Sequence, residues 1–247
     1  MTMPSYNDIA TQEQPLQVPL TDETLALLGQ RCGLHSGMRL LDLSCYRGYL
    51  LNTWAREYDL RGTGVDERPE CINIAQTHAN ELNVWANVHY VVADVFEYPQ
   101  PFHEYNVITW LTVGAGLELP RWLAVMRTAL RDRTGLIVVG ESYWRARPSR
   151  SALKQRGIPV HALPQLDDLR TVGEQAGLAL VDMLLLDHRG WDDYYAQQWR
   201  TVARWLREHP NDPDAPEVRR QWQLSQHQYL SFEREAVGYG VFVYSPV

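Results

Sequence analysis

Short apolar runs alternate with helical patterns along the first 140 residues. The run at 38–43 stops at a turn of small residues, and apolar positions then recur at spacings of three and four between Leu50 and Tyr58. This spacing predicts an amphipathic helix, and a second strand-like run follows it and ends at Asp66. Strand, helix and strand in this order predict the first half of a nucleotide-binding α/β unit.

The same alternation continues to the end of the chain. It predicts further helices at 21–30, 68–82, 121–130, 165–176, 192–208 and 214–235. It predicts further strands at 88–92, 106–111, 136–140, 178–186 and 237–244. Alternating strands and helices favour a parallel sheet with right-handed crossovers. Asp214 and Glu217 have the spacing of a capping box for the last helix, and the arginine-rich stretch at 145–156 is expected to be a loop.

The length and composition describe an ordinary globular chain. The chain has 247 residues, of which 45% are apolar and 21% charged, and no linker or repeat divides it. We therefore expect a single domain over 1–247. Its parts are an N-terminal arm and helix at 1–30, a ligand-binding half at 36–145 and a substrate-side half with a helical insertion at 146–247.

Charge and cysteine content exclude several classes of function. The net charge of −7 disfavours a nucleic-acid partner, which requires a basic surface. No signal peptide is visible, and the apolar stretch at 105–117 is too short to span a bilayer, so we expect a cytoplasmic protein without a membrane partner. Three cysteines without C-x-x-C spacing and the absence of H-E-x-x-H predict no metal site.

The ends of the predicted strands are the expected ligand-binding positions. In an open α/β sheet, ligands bind beyond the carboxyl ends of the strands. This rule selects the segments 44–48, 66–68, 94–96, 110–116, 141–145 and 187–191. Asp66 is the strongest candidate within them, since a carboxylate at a strand end can accept hydrogen bonds from both ribose hydroxyls. Asp94 has an alternative role as a helix cap, and Asp42 as an acceptor for backbone N–H groups of the turn.

The spacing of the first turn separates two nucleotide-binding families. The dinucleotide motif G-x-G-x-x-G would need glycines at 44, 46 and 49, where the chain has Ser44, Tyr46 and Tyr49. The register from Asp42 to Gly48 instead resembles D-x-G-x-G-x-G of class I S-adenosyl-L-methionine (SAM) methyltransferases, with a divergent glycine motif. The resemblance extends through Gly-Val-Asp, Val-Val-Ala-Asp and Gly-Glu-Ser-Tyr-Trp, and it covers 36–205.

This resemblance is strongest to the bacterial small-molecule branch of that family. It implies a Rossmann-like, doubly wound, seven-stranded and mostly parallel sheet, with an antiparallel last strand and a helical insertion before it. It also implies SAM as the cofactor and methyl transfer to a small-molecule acceptor. The candidate cofactor-binding residues are Asp42, Ser44, Tyr46, Gly48, Asp66, Asp94 and Trp110.

Tyr46 leaves two alternatives to a SAM-dependent methyltransferase open. If the turn needs a positive φ at this position, a tyrosine there costs about 1–2 kcal/mol, and its ring occupies space beside the ligand. The chain could therefore be a methyltransferase-like protein that has lost SAM binding and serves as a ligand-binding or partner subunit. A SAM-dependent reaction other than methyl transfer is the third hypothesis.

Two groups of residues are candidates for the acceptor side. Glu141 and His188 could act as bases or orient an acceptor, although Glu141 could equally be a structural anchor. Tyr143, Trp144, Trp191 and Tyr195 could form a substrate pocket, although the aromatic residues of the predicted helix could simply be core. The arginines at 145–156 could attract an anionic substrate. The sequence leaves the oligomeric state open.

Overall fold

The sheet has seven strands, six of them parallel. The computed structural model describes residues 6–98, 103–113, 118–159 and 161–247. The strands are β1 Arg39–Leu43, β2 Arg61–Asp66, β3 Val88–Val92, β4 Val107–Leu111, β5 Leu136–Trp144, β6 Leu178–Leu185 and β7 Val237–Pro246. They lie in the order β3-β2-β1-β4-β5-β7-β6, and β7 is antiparallel to both of its neighbours. The expected Rossmann-like sheet with an antiparallel last strand is confirmed.

Helices cover both faces of this sheet. They are α1 Tyr6–Thr11, α2 Asp22–Arg31, α3 Tyr49–Tyr58, α4 Pro69–Glu81, α5 Leu119–Ala129, α6 Arg150–Gln155, α7 Leu166–Gln175, α8 His188–Glu208, α9 Ala215–Gln228 and α10 Arg234–Ala236. A π-helical turn, Tyr229–Glu233, joins α9 to α10. The long pair α8 and α9 forms the helical insertion between β6 and β7.

The core has two layers, one on each face of the sheet, because side chains alternate in direction along each strand. Leu40 and Leu41 are neighbours on β1, but Leu40 packs with the layer of α2 to α4, whereas Leu41 packs with the layer of α5 and α7. Val138 and Ile137 divide in the same way on β5, because successive side chains of a strand point to opposite faces.

A smaller cluster attaches the N-terminal segment to the insertion. Ile9 and Ala10 of α1 are buried against Val202 and Leu206 of α8 and against Val218 of α9. The N-terminal arm therefore lies across the insertion, on the side of the sheet that carries α8.

Four local expectations need correction. β5 continues to Trp144, because β7 pairs with it along its whole length. α8 begins at His188 and not at 192, since the side chain of Asp187 accepts a hydrogen bond from the backbone N–H of Gly190. The stretch at 145–156 contains α6. The capping box at Asp214 does not form among the described residues, because Glu217 pairs with Arg220.

Candidate functional site

A cavity of about 660 Å³ opens at the carboxyl ends of β1, β2 and β4. β1 pairs with β2 on one side and with β4 on the other, so this is where the strand order reverses. The cavity is lined by Leu16, Gln17, Val18, Asp42, Ser44, Cys45, Tyr46, Leu50, Asp66, Glu67, Arg68, Val95, Phe96, Trp110, Leu111, Thr112, Val113, Glu118, Arg121 and Trp122. Four of the six predicted strand-end segments contribute to it, whereas 141–145 and 187–191 do not. The part of the 110–116 segment from Gly114 onward lies outside the described residues.

The turn after β1 places three alternate residues in the left-handed region. Ser44, Tyr46 and Gly48 have φ values of 56°, 52° and 71°. The backbone thus has at Ser44 and Tyr46 the conformation that glycine adopts without penalty, and each side chain costs about 1–2 kcal/mol there. Gly48 also has no room for a side chain, since an added Cβ would lie 2.8 Å from the Cβ of Ala75 and overlap the hydroxyl of Tyr90.

Tyr46 is held by contacts that offset its backbone strain. Its hydroxyl donates a hydrogen bond to the carbonyl oxygen of Thr11 at 3.2 Å. The guanidinium groups of Arg47 and Arg68 lie 4.7 Å and 5.1 Å from the centre of its ring. Cation–π contacts of this kind contribute about 0.5–1 kcal/mol each. The side chain is therefore buried against the N-terminal arm while one part of it still lines the cavity.

Asp66, at the end of β2, is buried and accepts four hydrogen bonds. Its Oδ1 accepts from the backbone N–H and the Nε of Arg68, both at 3.0 Å. Its Oδ2 accepts from the backbone N–H of Tyr46 at 3.0 Å and from a terminal nitrogen of Arg68 at 3.3 Å. The carboxylate thus joins the turn after β1 to the start of α4.

Asp42 lies at the floor of the cavity and is almost completely buried. Its Oδ1 accepts a hydrogen bond from the hydroxyl of Thr109 on β4 at 2.7 Å. Burial raises the pKa of this carboxyl to about 7; the Thr109 hydrogen bond acts in the opposite direction, and the nearby charge of Asp66 adds to the rise. The expected role of Asp42 as an acceptor for the backbone of the turn is not what the structure shows: its partner is a side chain of the neighbouring strand.

Three aromatic rings form the wall opposite the turn. Phe96 lies against Trp122 at a centroid distance of 4.0 Å, and Trp110 meets both rings edge-on, at 6.2 Å and 5.8 Å. Asp94 is exposed beside this wall, and its Oδ1 accepts a hydrogen bond from the backbone N–H of Phe96 at 2.8 Å. It therefore caps the turn that positions Phe96.

The N-terminal arm forms one side of the cavity. Leu16, Gln17 and Val18 line it. The carbonyl oxygen of Gln17 accepts a hydrogen bond from the hydroxyl of Tyr194 at 3.0 Å. The arm is thus held between the turn after β1 and helix α8, and the cavity is closed on that side.

Comparison with known proteins assigns the chain to a family. Residues 40–133 match the model of a methyltransferase domain. YjhP of Escherichia coli is 32% identical over 98% of both chains, and its crystal structure has a TM-score of 0.88. A SAM-dependent methyltransferase from Geobacter sulfurreducens, solved in complex with S-adenosyl-L-homocysteine (SAH), is 32% identical over 99% of both chains, with a TM-score of 0.88. A SAM-dependent methyltransferase from Thiobacillus denitrificans, also solved with SAH, is 29% identical over the full length of both chains, with a TM-score of 0.88.

The chain belongs to the SAM-dependent methyltransferase family. SAM is the cofactor of this family, and the cavity of this methyltransferase lies at the strand ends where the sequence predicted it.

The two candidate catalytic residues of this methyltransferase lie away from the cavity lining. Glu141 is fully buried on β5, where its Oε1 accepts a hydrogen bond from the backbone N–H of Ser142 at 2.9 Å. His188 is the first residue of α8, with its Nε2 3.7 Å from a carboxylate oxygen of Glu235. The locations of Glu141 and His188 do not test whether they act in catalysis, so their catalytic roles stay predictions.

The four predicted substrate-pocket residues divide between the two faces of the sheet. Tyr143 packs on Phe242 in the α5 layer. Trp191 and Tyr195 lie in the opposite layer, with ring centroids 5.7 Å apart. The division follows from the alternation of β5, since Trp144 must face the other side from Tyr143. The buried indole nitrogens of Trp144 and Trp191 have no hydrogen-bond partner among the described residues.

Two of the arginines at 145–156 have partners elsewhere in the fold. Arg145 donates hydrogen bonds to the carbonyl oxygens of Val237 and Leu186, at 3.1 Å and 3.2 Å. Arg156 lies over the ring of Phe232, 4.4 Å from its centre. These two side chains hold the insertion against the sheet.

Sequence reasoning missed several residues of the cavity. It did not single out Arg68 or Phe96, although both lie inside selected segments, and it did not select Trp122, Leu16, Gln17 or Val18. The signal for Phe96 was present, since an aromatic residue two positions after a strand-end acid belongs to the same turn.

The described residues contain neither a candidate metal site nor a helix that could span a membrane. Within 6–98, 103–113, 118–159 and 161–247, no three or more His, Cys, Asp or Glu side chains lie where they could hold a metal ion. None of the helices in the same ranges is long and apolar enough to cross a membrane.

Proposed function

We propose that this protein transfers the methyl group of SAM to a small-molecule acceptor bound next to the cavity. The observation that carries the proposal is the placement of Asp66, Asp42 and an aromatic wall around one cavity at the switch point of the sheet. Its volume lies within the range of about 300–1,000 Å³ that is usual for small-molecule sites.

The lining of the cavity fits the cofactor. Asp66 lines the cavity, and a carboxylate has the two acceptor oxygens that a ribose diol requires. Trp110, with Phe96 and Trp122, offers flat apolar surface to an adenine ring. Asp42 and the turn at Ser44 and Tyr46 would hold the methionine part. We keep Asp94 as a candidate contact to adenine, because it neighbours this wall.

Bound SAM supplies a methyl group already activated by a positively charged sulfur. The chain therefore has to orient the acceptor and exclude water. The arm contributes to the second: Leu16 and Val18 line the cavity with apolar side chains, and the Tyr194 hydroxyl fixes the arm through the Gln17 carbonyl. An acceptor enclosed in this way is small, and the acidic net charge argues against nucleic acid.

We place the acceptor on the side of α8. Trp144, Trp191 and Tyr195 are the proposed wall, and the two unpartnered indole N–H groups would donate to polar atoms of the acceptor. His188 and Glu141 are the proposed bases. Glu233 is a further candidate, since it accepts a hydrogen bond from the Tyr195 hydroxyl at 3.0 Å and burial raises its pKa.

Two measurements test the proposal. The first is calorimetric titration of the purified protein with SAM and with SAH, with NADH as the control nucleotide. Micromolar binding of both adenosyl ligands without binding of NADH is expected. The second is incubation with SAM carrying a deuterated methyl group and a pool of bacterial metabolites, followed by mass spectrometry. A product with a mass increase of one labelled methyl group is expected.

Absence of SAM and SAH binding would overturn the proposal and favour a partner subunit without cofactor. Binding of SAM without any labelled product from a broad metabolite pool would count against methyl transfer to a small molecule.

A further inference from the structure

The carboxylate of Asp66 has no acceptor position left for a ligand. A carboxylate offers about four lone-pair positions, and Asp66 uses them for two backbone N–H groups and two guanidinium N–H groups. The two backbone donors, of Tyr46 and Arg68, belong to the turns that shape the cavity. The two guanidinium donors come from one side chain, which is the only one of these partners that can leave without rearranging a turn.

We propose that the Arg68 side chain occupies the ribose position on Asp66 and must be displaced whenever an adenosyl ligand binds. The inference rests on the proposed function, since it takes the ribose diol of SAM as the ligand of Asp66. Two ribose hydroxyls replace two guanidinium N–H donors, so the number of hydrogen bonds to the carboxylate is conserved. Arg68 is then a built-in competitor that lowers the affinity for the cofactor.

The surroundings of Arg68 allow this exchange. Its side chain is 41% exposed, whereas that of Asp66 is 5% exposed. Its guanidinium already lies 5.1 Å from the Tyr46 ring centre and 3.4 Å from the side-chain oxygen of Gln17. A small rotation therefore carries the charge from the carboxylate to the ring face and to solvent.

The ion pair also explains how a buried carboxylate is tolerated before the ligand arrives. An unpaired buried charge is strongly unfavourable, and Arg68 supplies the missing partner. A nucleoside without the two ribose hydroxyls has no donors to put in place of the guanidinium, so it leaves Arg68 on Asp66. Arg68 therefore competes only with ligands that carry the ribose diol.

Calorimetric titration with SAH tests the proposal on the full chain. Arg68→Met keeps the aliphatic stem and removes the competing donors, so we expect it to bind SAH at least fivefold more tightly than the natural protein. Arg39→Met is the control: it also removes a positive charge that pairs with a carboxylate, that of Glu104, but at the opposite end of β1 and outside the cavity lining. It should change the affinity less than twofold. Arg68→Lys keeps the charge without the two-pronged geometry and should give an intermediate affinity.

Two further readouts separate displacement from a general electrostatic effect. The gain in affinity of Arg68→Met should appear with adenosine and vanish with 2′,3′-dideoxyadenosine. Raising the salt concentration should increase the affinity of the natural protein for SAH, because salt weakens the partly exposed ion pair, and should leave Arg68→Met unchanged.

The possible results are distinguishable. Equal or weaker SAH binding by Arg68→Met, in a protein whose natural form binds SAH, overturns the displacement proposal alone. Failure of the natural protein to bind SAH overturns the proposed function as well. A gain of the same size in Arg39→Met also overturns the role of Arg68, since charge alone would then explain it.

Discussion

The hydroxyl of Tyr46 donates a hydrogen bond to the carbonyl oxygen of Thr11 at 3.2 Å, and so ties the turn after β1 to the end of α1. Tyr46 stands where the family motif has a glycine, and its side chain makes a structural contact with the N-terminal arm. The ring points toward the arm, and the backbone of the turn keeps its left-handed conformation.

We expect Tyr46→Phe to loosen the arm without disturbing the turn. A net hydrogen bond is worth about 0.5–1.5 kcal/mol, so amide hydrogen exchange of residues 6–20 should become roughly two- to tenfold faster. Hydrogen exchange with mass spectrometry measures this directly. Tyr49→Phe is the matched control, because its hydroxyl donates to Asp22 and not to the arm. Equal acceleration in both variants would contradict the assigned role.

Tyr46→Gly should bind SAM with an affinity within about threefold of the natural protein. The glycine relieves roughly 1–2 kcal/mol of backbone strain and loses the contacts to Thr11, Arg47 and Arg68. Titration calorimetry on both proteins is the measurement. SAM binding that appears only in the glycine variant would mean that the tyrosine ring blocks the site.

The order of strands and helices was predictable from the sequence because hydrophobic periodicity is local. The C-terminal half of β5 was not, since Glu141 interrupts the apolar run and only pairing with Gly240, almost a hundred residues away, extends the strand. The start of α8 was misplaced because Asp192 and Asp187 are both plausible caps, and the choice depends on the geometry at the end of β6.

The sequence predicted those cavity residues that lie near the carboxyl ends of strands. Asp42, Asp66 and Trp110 follow from the rule on carboxyl ends, and all three line the cavity. The partners of these residues were not predictable: the bond from Thr109 to Asp42 needs the β1–β4 pairing, and the pairing of Arg68 with Asp66 depends on side-chain direction. The same limit applies to Tyr143, whose face of the sheet is fixed by the register of β5.

Asp42 should make the protein less stable as the pH rises. Its pKa of about 7 in the folded state lies above the usual 3.8 of an aspartate side chain. Between about pH 4 and pH 7 the unfolded chain has released this proton and the folded chain still holds it. The contribution of Asp42 to the free energy of unfolding therefore falls through this window and is constant above it.

Asp42→Asn should remove this dependence. A pKa difference of one unit corresponds to about 1.4 kcal/mol, so the variant should gain up to about 4 kcal/mol relative to the natural protein between pH 4 and pH 8. Urea unfolding at both pH values measures the gain. Asp59→Asn, an exposed aspartate at the opposite end of the sheet, is the control and should show no such gain.

Arg145→Met should destabilise the junction between the insertion and the sheet. It leaves the carbonyl oxygens of Val237 and Leu186 without their donors, at a cost of about 1–3 kcal/mol in unfolding free energy. Arg147→Met, at an exposed position two residues further on, should stay within about 0.5 kcal/mol. Both values come from urea unfolding curves, and equal stability of the two variants would show that these two hydrogen bonds do not stabilise the junction.

Asp66→Asn should weaken SAH binding by about tenfold or more. Hydrogen bonds to a charged acceptor contribute about 1.5–3 kcal/mol, and those to a neutral acceptor about 0.5–1.5 kcal/mol. The amide also has one acceptor oxygen instead of two, so it cannot accept from both ribose hydroxyls in the way that the carboxylate can. Titration calorimetry gives the affinity, and circular dichroism establishes that the variant is folded.

The matched control is Asp59→Asn, which makes the same chemical change at an aspartate that pairs with Ser36 and Asn87. It should bind SAH as the natural protein does. Arg68→Met in the Asp66→Asn background completes the comparison. If Arg68 competes for the carboxylate, its removal should give little further gain once the carboxylate is replaced by an amide, because the ion pair that the ligand has to break no longer exists. A folded Asp66→Asn protein with unchanged SAH affinity would show that the ribose binds elsewhere in the cavity.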